Sequence, residues 1–430
     1  MGAVTTQARP WTAPVGNRPV AATLRLPGSK SMTARALVLS ALADGPSTIR
    51  RPLRARDTTL MVDGLRALGV AVDTTSDDVW TVHPGPLRGP ARVDVGLAGT
   101  VMRFAPPAAA LADGTVTFDG DPHARNRPLR PIVEALRAIG VEIDASPTGG
   151  LPLVVRGCGL VPGGEAVIDA SGSSQFVSGL LLSAPRFAKG LVLRHQGPPV
   201  PSAPHLRMTT HMLRAAGATV DDSLPDVWSV EPGGLRGRGW DIEPDLSGAA
   251  PFFAAAMVTG GAVTLAGWPP GSGQPVGRLT ELLTAMGAAV SQDDAGLTVR
   301  STGELHGIEA DLSEVSELTP VVAALAALAD GPSELRGVAH IRGHETDRLA
   351  ALATELGKVG AGVVEHHDGL EITPGPLRPA VVDTYADHRM AHFAAVLGLA
   401  VEGVRLSDVA CTSKTLPEFP ELWADLVTGG

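Results

Sequence analysis

The chain has 430 residues, more than one hydrophobic core holds comfortably, and its formal net charge of -10 argues against a general nucleic-acid surface. Hydrophobic residues make up 44% of it but aromatic residues only 3%, so its cores rest on small aliphatic side chains and offer little for base stacking. Its two cysteines, Cys158 and Cys411, lack CxxC or Cys/His spacing, which suits a reducing cytoplasm and disfavours a structural metal.

In chain order, the opening MGAVTTQARPWTAPVGNRPV lacks the apolar segment of a secretory signal. A strand, AATLRLPG, follows, and RALVLSALADGPSTI from Arg35 then predicts an apolar helix, a glycine cap and a strand. The same unit returns in RFAPPAAALADGTVTF from Arg103, FVSGLLLSAPRFAKGLVL from Phe176, PFFAAAMVTGGAVTL from Pro251, PVVAALAALADGPSEL from Pro320 and MAHFAAVLGLAVEGVRL from Met390. The glycines, Gly45, Gly114, Gly190, Gly261, Gly331 and Gly403, recur about every seventy residues. These apolar runs are too short to span a bilayer, so no membrane is expected as a partner, and the acidic charge and few aromatics leave no nucleic acid expected either.

A second helix and strand recur in step, as in LRALGVAVD at Leu65 and LRAIGVEID at Leu136, followed by hairpins such as VWTVHPGPLRG from Val79. Each repeat therefore reads helix, strand, helix, strand, strand. The sixth copy ends after LPEFPELWADLV without its last strands, and AATLRLPG is the expected donor of one of them. Solenoid repeats are usually about 20–45 residues long, so two groups of three are preferred over six units in a row.

Polar residues gather before the helices. GSKSMTAR holds Lys30, Ser31 and Arg35; LAGTVMR holds Gly99 and Arg103; SGSSQ holds Ser173, Ser174 and Gln175; SEL holds Glu317; ADHR holds His388 and Arg389. Second helices add Arg127 in RNRP, Ser202 in SAPHLR, His344, Glu345 and Arg348 in RGHETDR, and Lys414 in TSKT. Taken singly, Ser31 or Ser173 reads as an N-cap, Arg127 or Arg348 as a solvated charge, and His388 as a hydrogen-bonded surface residue. Six related units with basic or hydroxyl residues at the same helix end point instead to anions, because free N–H groups and the positive dipole end lie there too.

In these motifs, from PGSKS through LAGTVMRF, SSQFVSGLLLSAP, HETDRLA and YADHRMA to TSKTLPEF, the chain resembles the enolpyruvyl transferases over nearly its whole length. The resemblance implies an α/β fold, a two-domain inside-out α/β barrel of six βαβαββ units, with the active site in the cleft. On this sequence the domains are residues 1–27 with 240–430, and 28–239. The substrates implied are phosphoenolpyruvate and shikimate 3-phosphate, whose 5-hydroxyl receives the enolpyruvyl group, with no cofactor and no metal. The expected state is a cytoplasmic monomer, and glyphosate is expected to compete for the phosphoenolpyruvate pocket.

By the same resemblance, Glu317, Glu345, Lys30 and His388 form the catalytic group. Lys30, Ser31, Arg35, Ser173, Ser174, Gln175, Ser202, Glu317 and His344 hold shikimate 3-phosphate. Phosphoenolpyruvate lies against Lys30, Gly99, Arg127, Gln175, Arg348, Arg389 and Lys414. His344 stands where many members carry lysine, His205 where many carry tyrosine, Ala34 and Leu97 where asparagine is usual, and Glu317 where aspartate is commoner. Two rivals stay open: a transferase acting on another alcohol such as a UDP-amino sugar, and a non-catalytic anion-binding scaffold. The former commonly carries a cysteine in the loop corresponding to GDPHARNRP, where this chain has none.

Overall fold

The structure, a computed structural model, describes residues 10–429. Twelve α-helices occur among the described residues. The first helix of each repeat is α1 (Lys30–Ala41), α3 (Gly99–Ala109), α5 (Ser174–Ser183), α7 (Leu246–Thr259), α9 (Thr319–Ala327) or α11 (His388–Ala400). The second is α2 (Arg56–Ala67), α4 (Arg130–Ala138), α6 (Ala203–Ala215), α8 (Val276–Ala285), α10 (Arg348–Val359) or α12 (Phe419–Thr428). First helices are apolar all round and almost wholly buried, as in α3 and α9, where every residue is inside. Second helices are amphipathic: α4 buries Ile132, Val133, Ala135 and Leu136 and turns its remaining residues toward water.

Two compact units emerge, one of residues 27–243 and one of residues 1–26 with 244–430. Each has its own core. In the first, α1, α3 and α5 pack together, with Phe104, Phe118 and Phe176 fully buried. In the second, α11 packs on α7 and α9, with Phe252, Phe393 and Trp423 fully buried. Among the described residues, no helix is long and apolar enough to cross a membrane.

Among the described residues every repeat builds a small sheet around its helices, five of four strands and one of three. In the second repeat, Ala91–Asp94 lies parallel to Asp113–Asp119, which pairs antiparallel with Leu153–Cys158, and that strand with Glu142–Ala145. The chain order helix, strand, helix, strand, strand is therefore correct, but three features differ from the sequence reading. Gly239–Asp241 completes the first repeat's sheet by pairing parallel to Ser47–Arg50, so the chain leaves that unit after Glu243 and not at Trp240. Ala21–Leu24 joins the fourth sheet, parallel to Ala262–Leu265, while the sixth sheet takes Trp11–Thr12 against Arg405–Leu406. The recurring glycines are not helix caps. Gly114 lies within a strand and Gly45 beyond Leu42, whereas α7 is capped by Gly260 at φ 74°, a left-handed conformation that costs glycine nothing.

Candidate active site

In the unit of residues 27–243, α1 starts at Lys30, directly after its N-cap Ser29. The Lys30 ammonium lies 3.4 Å from Oδ2 of Asp57, a buried carboxylate in the first turn of α2, where the helix dipole favours an anion. One turn along α1, Arg35 is only 1% exposed. Its Nε donates to Thr209 Oγ1 at 2.7 Å, its Nη1 to the Ser31 carbonyl at 3.0 Å, and its Nη2 to Ser178 Oγ at 3.2 Å and the His205 carbonyl at 3.1 Å. All four acceptors are neutral. With no carboxylate to offset it, burial pushes the Arg35 guanidinium down to about 9.

The N-termini of α3 and α5 add two more arginines. Gly99 is the first residue of α3, and a Cβ there would stand 2.8 Å from Arg103 Nη1 and 3.1 and 3.2 Å from the Arg127 guanidinium nitrogens. Arg103 Nη1 donates to Gln175 Oε1 at 2.9 Å, and Arg127 Nη1 to the Leu97 carbonyl at 3.0 Å. Arg127 is nearly buried, and its Nε has no hydrogen-bond partner. Ser173 is the N-cap of α5 and accepts from the Gln175 N–H, Ser174 is buried behind it, and Ser202 precedes α6 with the left-handed φ of 54°. A helix N-terminus with no Cβ, flanked by two guanidiniums, is suited to a phosphate or carboxylate.

In the other unit the charges are already paired. Arg348, the first residue of α10, is also 1% exposed, and all five of its N–H groups find acceptors. Nε and Nη2 grip Asp387 at 2.7 and 3.2 Å, Nη1 donates to Glu317 and to His344 Nδ1 at 2.9 Å each, and Nη2 donates to Glu345 at 2.9 Å. Lys414 donates to the other Glu345 oxygen at 2.5 Å. Arg389, second residue of α11, donates to the Ser247 carbonyl at 2.7 Å and to its hydroxyl, and its Nε lies 3.4 Å from Glu317. His388, one residue earlier, is buried with Nδ1 3.7 Å from Asp387 and its ring edge-on to His392.

The electrostatics follow from these contacts. Burial pushes Arg348 down, but Asp387, Glu317 and Glu345 outweigh it and hold the guanidinium well above its usual range. Burial pushes Glu317 up, but Arg348 foremost and Arg389 as well hold its carboxyl well below the usual range. It is therefore ionised at neutral pH. His344 is pushed down to about 3, first by burial and then by the charge of Arg348. Because arginine can only donate, His344 Nδ1 is the acceptor and the ring proton sits on Nε2.

The structure thus gathers Glu317, His344, Glu345, Arg348, Arg389 and Lys414 into one network, with His388 adjoining it, and separately gathers Gly99, Arg127 and Gln175. Lys30, Ser31 and Arg35 share one helix start. Sequence reasoning gave no role to Asp57, and it placed Arg103 and Asp387 at helix starts without assigning either a partner. Arg103 and Asp387 stand inside quoted motifs, and the signal that singles them out is a charge one turn from, or directly before, a motif residue. For Asp57 the signal is an acid in the first turn of a second helix. Among the described residues, no group of three or more His, Cys, Asp or Glu is placed to hold a metal ion.

The EPSP synthase (3-phosphoshikimate 1-carboxyvinyltransferase) family model matches residues 15–423. A 3-phosphoshikimate 1-carboxyvinyltransferase of Mycobacterium ulcerans is 53% identical over 429 residues, 98% of each chain. The chain belongs to the EPSP synthase family. Two solved structures share the fold of this EPSP synthase family member. An EPSP synthase from Acinetobacter baumannii superimposes with a TM-score of 0.81 at 24% identity, over 97% of this chain and 98% of that one. The enolpyruvyl transferase NikO from Streptomyces tendae gives a TM-score of 0.73 at 20% identity, over 97% of both chains.

Proposed function

We propose that this protein transfers the enolpyruvyl group of phosphoenolpyruvate to the 5-hydroxyl of shikimate 3-phosphate, a step of the shikimate pathway to aromatic amino acids. The observation that carries the reading is 53% identity, over 98% of both chains, to a 3-phosphoshikimate 1-carboxyvinyltransferase. The site's chemistry agrees. Each substrate carries a phosphate and a carboxylate, and the three groups of residues supply Lys30, Arg35, Arg127, Arg348, Arg389 and Lys414.

In this reading Lys30, Ser31, Arg35, Ser173, Ser174, Gln175 and Ser202 hold shikimate 3-phosphate, and Lys30, Gly99, Arg127, Gln175, Arg348, Arg389 and Lys414 hold phosphoenolpyruvate. A proton from the Glu345 side adds to the methylene carbon of phosphoenolpyruvate and makes C2 electrophilic. The 5-hydroxyl oxygen bonds to C2 while Glu317 takes its proton. The C2–O bond to phosphate then breaks as a proton leaves the new methyl group, which regenerates the vinyl ether and releases phosphate. Lys30 steadies the charge that develops on the adduct. His344, neutral with its proton on Nε2, offers a hydrogen bond to the sugar in place of a cation. Glyphosate, with a phosphonate and a carboxylate, competes for the phosphoenolpyruvate side. Among the described residues all six sheets are built from strands of one chain, which is consistent with a monomer, and the two unpaired cysteines suit the cytoplasm.

Phosphate release from phosphoenolpyruvate tests the reading. It should require shikimate 3-phosphate and should not occur with UDP-N-acetylglucosamine. Release with the UDP-sugar alone would make the protein a transferase for another alcohol, and release with neither would leave only an anion-binding scaffold.

A further inference from the structure

Directly before α11 the backbone takes a rare course. Tyr385 and Ala386 both have φ 54°, the left-handed region, and neither is glycine. Such residues persist only where the surroundings over-determine them. Here the surroundings are one buried carboxylate. Glu355 on α10 is 0% exposed. Its Oε1 accepts from the Tyr385 hydroxyl at 2.6 Å and from Lys358 Nζ at 2.8 Å, and its Oε2 accepts from the Asp383 N–H at 3.2 Å. Lys358 also reaches the Asp383 carboxylate at 2.9 Å, which closes a small ring of contacts across the start of the loop.

The far end of the same loop is Asp387. It grips Arg348 through two hydrogen bonds and, as the N-cap of α11, accepts from the Arg389 N–H at 2.9 Å. Arg348 and Glu355 lie two turns apart on α10, so they face the same side of it. The loop from Asp383 to Asp387 is therefore fastened to one helix face at two points. One fastening is Asp387 with Arg348, inside the site. The other is Glu355 with Asp383 and Tyr385, outside it, and nothing in the reaction uses it.

We infer that Glu355 and Tyr385 are positioning residues for phosphoenolpyruvate: their hydrogen bond locks the left-handed pair and so aims Asp387, which sets Arg348 and Arg389. This rests on the reading that those two arginines hold phosphoenolpyruvate. Tyr385 is the only tyrosine in the chain and is 38% exposed, so its hydroxyl can be removed without opening a cavity in the core.

The test is steady-state kinetics of the full chain with Tyr385→Phe, Glu355→Gln and, as a check on the underlying reading, Arg389→Gln. A hydrogen bond to a charged acceptor is among the stronger ones, so each of the first two should raise KM for phosphoenolpyruvate on the order of tenfold. The turnover number and KM for shikimate 3-phosphate should stay within about twofold, a split that general loosening of the fold would not produce. If Arg389→Gln leaves KM for phosphoenolpyruvate unchanged, the pocket itself is misassigned. If Arg389→Gln raises it while Tyr385→Phe and Glu355→Gln do not, or if those two shift all three constants together, the positioning role is overturned.

Discussion

Arg35 and Arg348 are equally buried, at 1% exposure, yet their surroundings are opposite. Arg348 has every donor filled and three carboxylates around it, and they hold it well above the arginine range. Arg35 meets only hydroxyl and carbonyl oxygens, and burial pulls it down to about 9. A buried cation without a counter-charge is costly, and a ligand anion relieves that cost. The α1 side thus leaves Arg35 without a counter-charge, whereas the α10 side is already neutralised. An anion reaching Arg348 has to displace Glu345 or Glu317 from it.

The largest expected effect breaks the α10 side. Glu317→Gln keeps the shape of the proposed base but cannot take a proton, so turnover should fall on the order of 10²–10⁴-fold in phosphate-release kinetics. It also removes one of the carboxylates that occupy Arg348, so KM for phosphoenolpyruvate should not rise. Unchanged turnover would remove Glu317 from the mechanism.

Stability separates the two arginines next. Arg348→Met would leave Asp387 and Glu345 buried with less counter-charge and should cost about 3–5 kcal/mol in denaturant unfolding. Arg35→Met leaves Thr209 and Ser178 still hydrogen-bonded to each other at 2.9 Å and should cost no more than about 1–2 kcal/mol, while abolishing shikimate 3-phosphate binding. Equal losses would mean that the contrast has no energetic weight.

Acid should weaken the α10 side first. His340 and His344 are held down to about 4 and about 3, chiefly by burial. Above their unfolded value near 6.5 both states are neutral and nothing changes. As pH falls below it the unfolded chain takes up protons that the folded chain refuses, so stability is lost toward the folded values. From pH 7.5 to pH 5 the loss should reach about 1–2 kcal/mol per histidine, read as a falling Tm, and His344→Gln should flatten the slope.

The smallest effect belongs to Gly99 at the start of α3. In Gly99→Ala the new methyl would press on the ends of Arg103 and Arg127, which move aside at modest cost. KM for phosphoenolpyruvate should rise about tenfold, since roughly 1.4 kcal/mol of contact is lost there. Glyphosate, which is longer, should lose more affinity than the substrate. Equal losses for both would place the inhibitor elsewhere.

Helix starts were legible in the sequence because the repeat aligns them, and Lys30, Gly99, Arg348 and Arg389 all stand in the first turns it marks. Strand exchange was not. Trp11–Thr12, Ala21–Leu24 and Gly239–Asp241 are two to four residues long, too short for a period, and their partners lie hundreds of residues away. The glycines misled because a cap is set by φ at the helix end, and six glycines aligned in sequence occupy different turns. The sequence also lists cations without saying which acid each meets. The pairings of Asp57 with Lys30, Asp387 with Arg348 and Glu355 with Tyr385 come into view only when folding brings them together.

Isothermal titration calorimetry of each substrate alone into the ligand-free protein tests the contrast between the two arginines most directly. Shikimate 3-phosphate should bind by itself, and phosphoenolpyruvate by itself should bind at least tenfold more weakly, because Arg348 must first give up a carboxylate. Phosphoenolpyruvate binding alone as tightly as shikimate 3-phosphate would contradict the account.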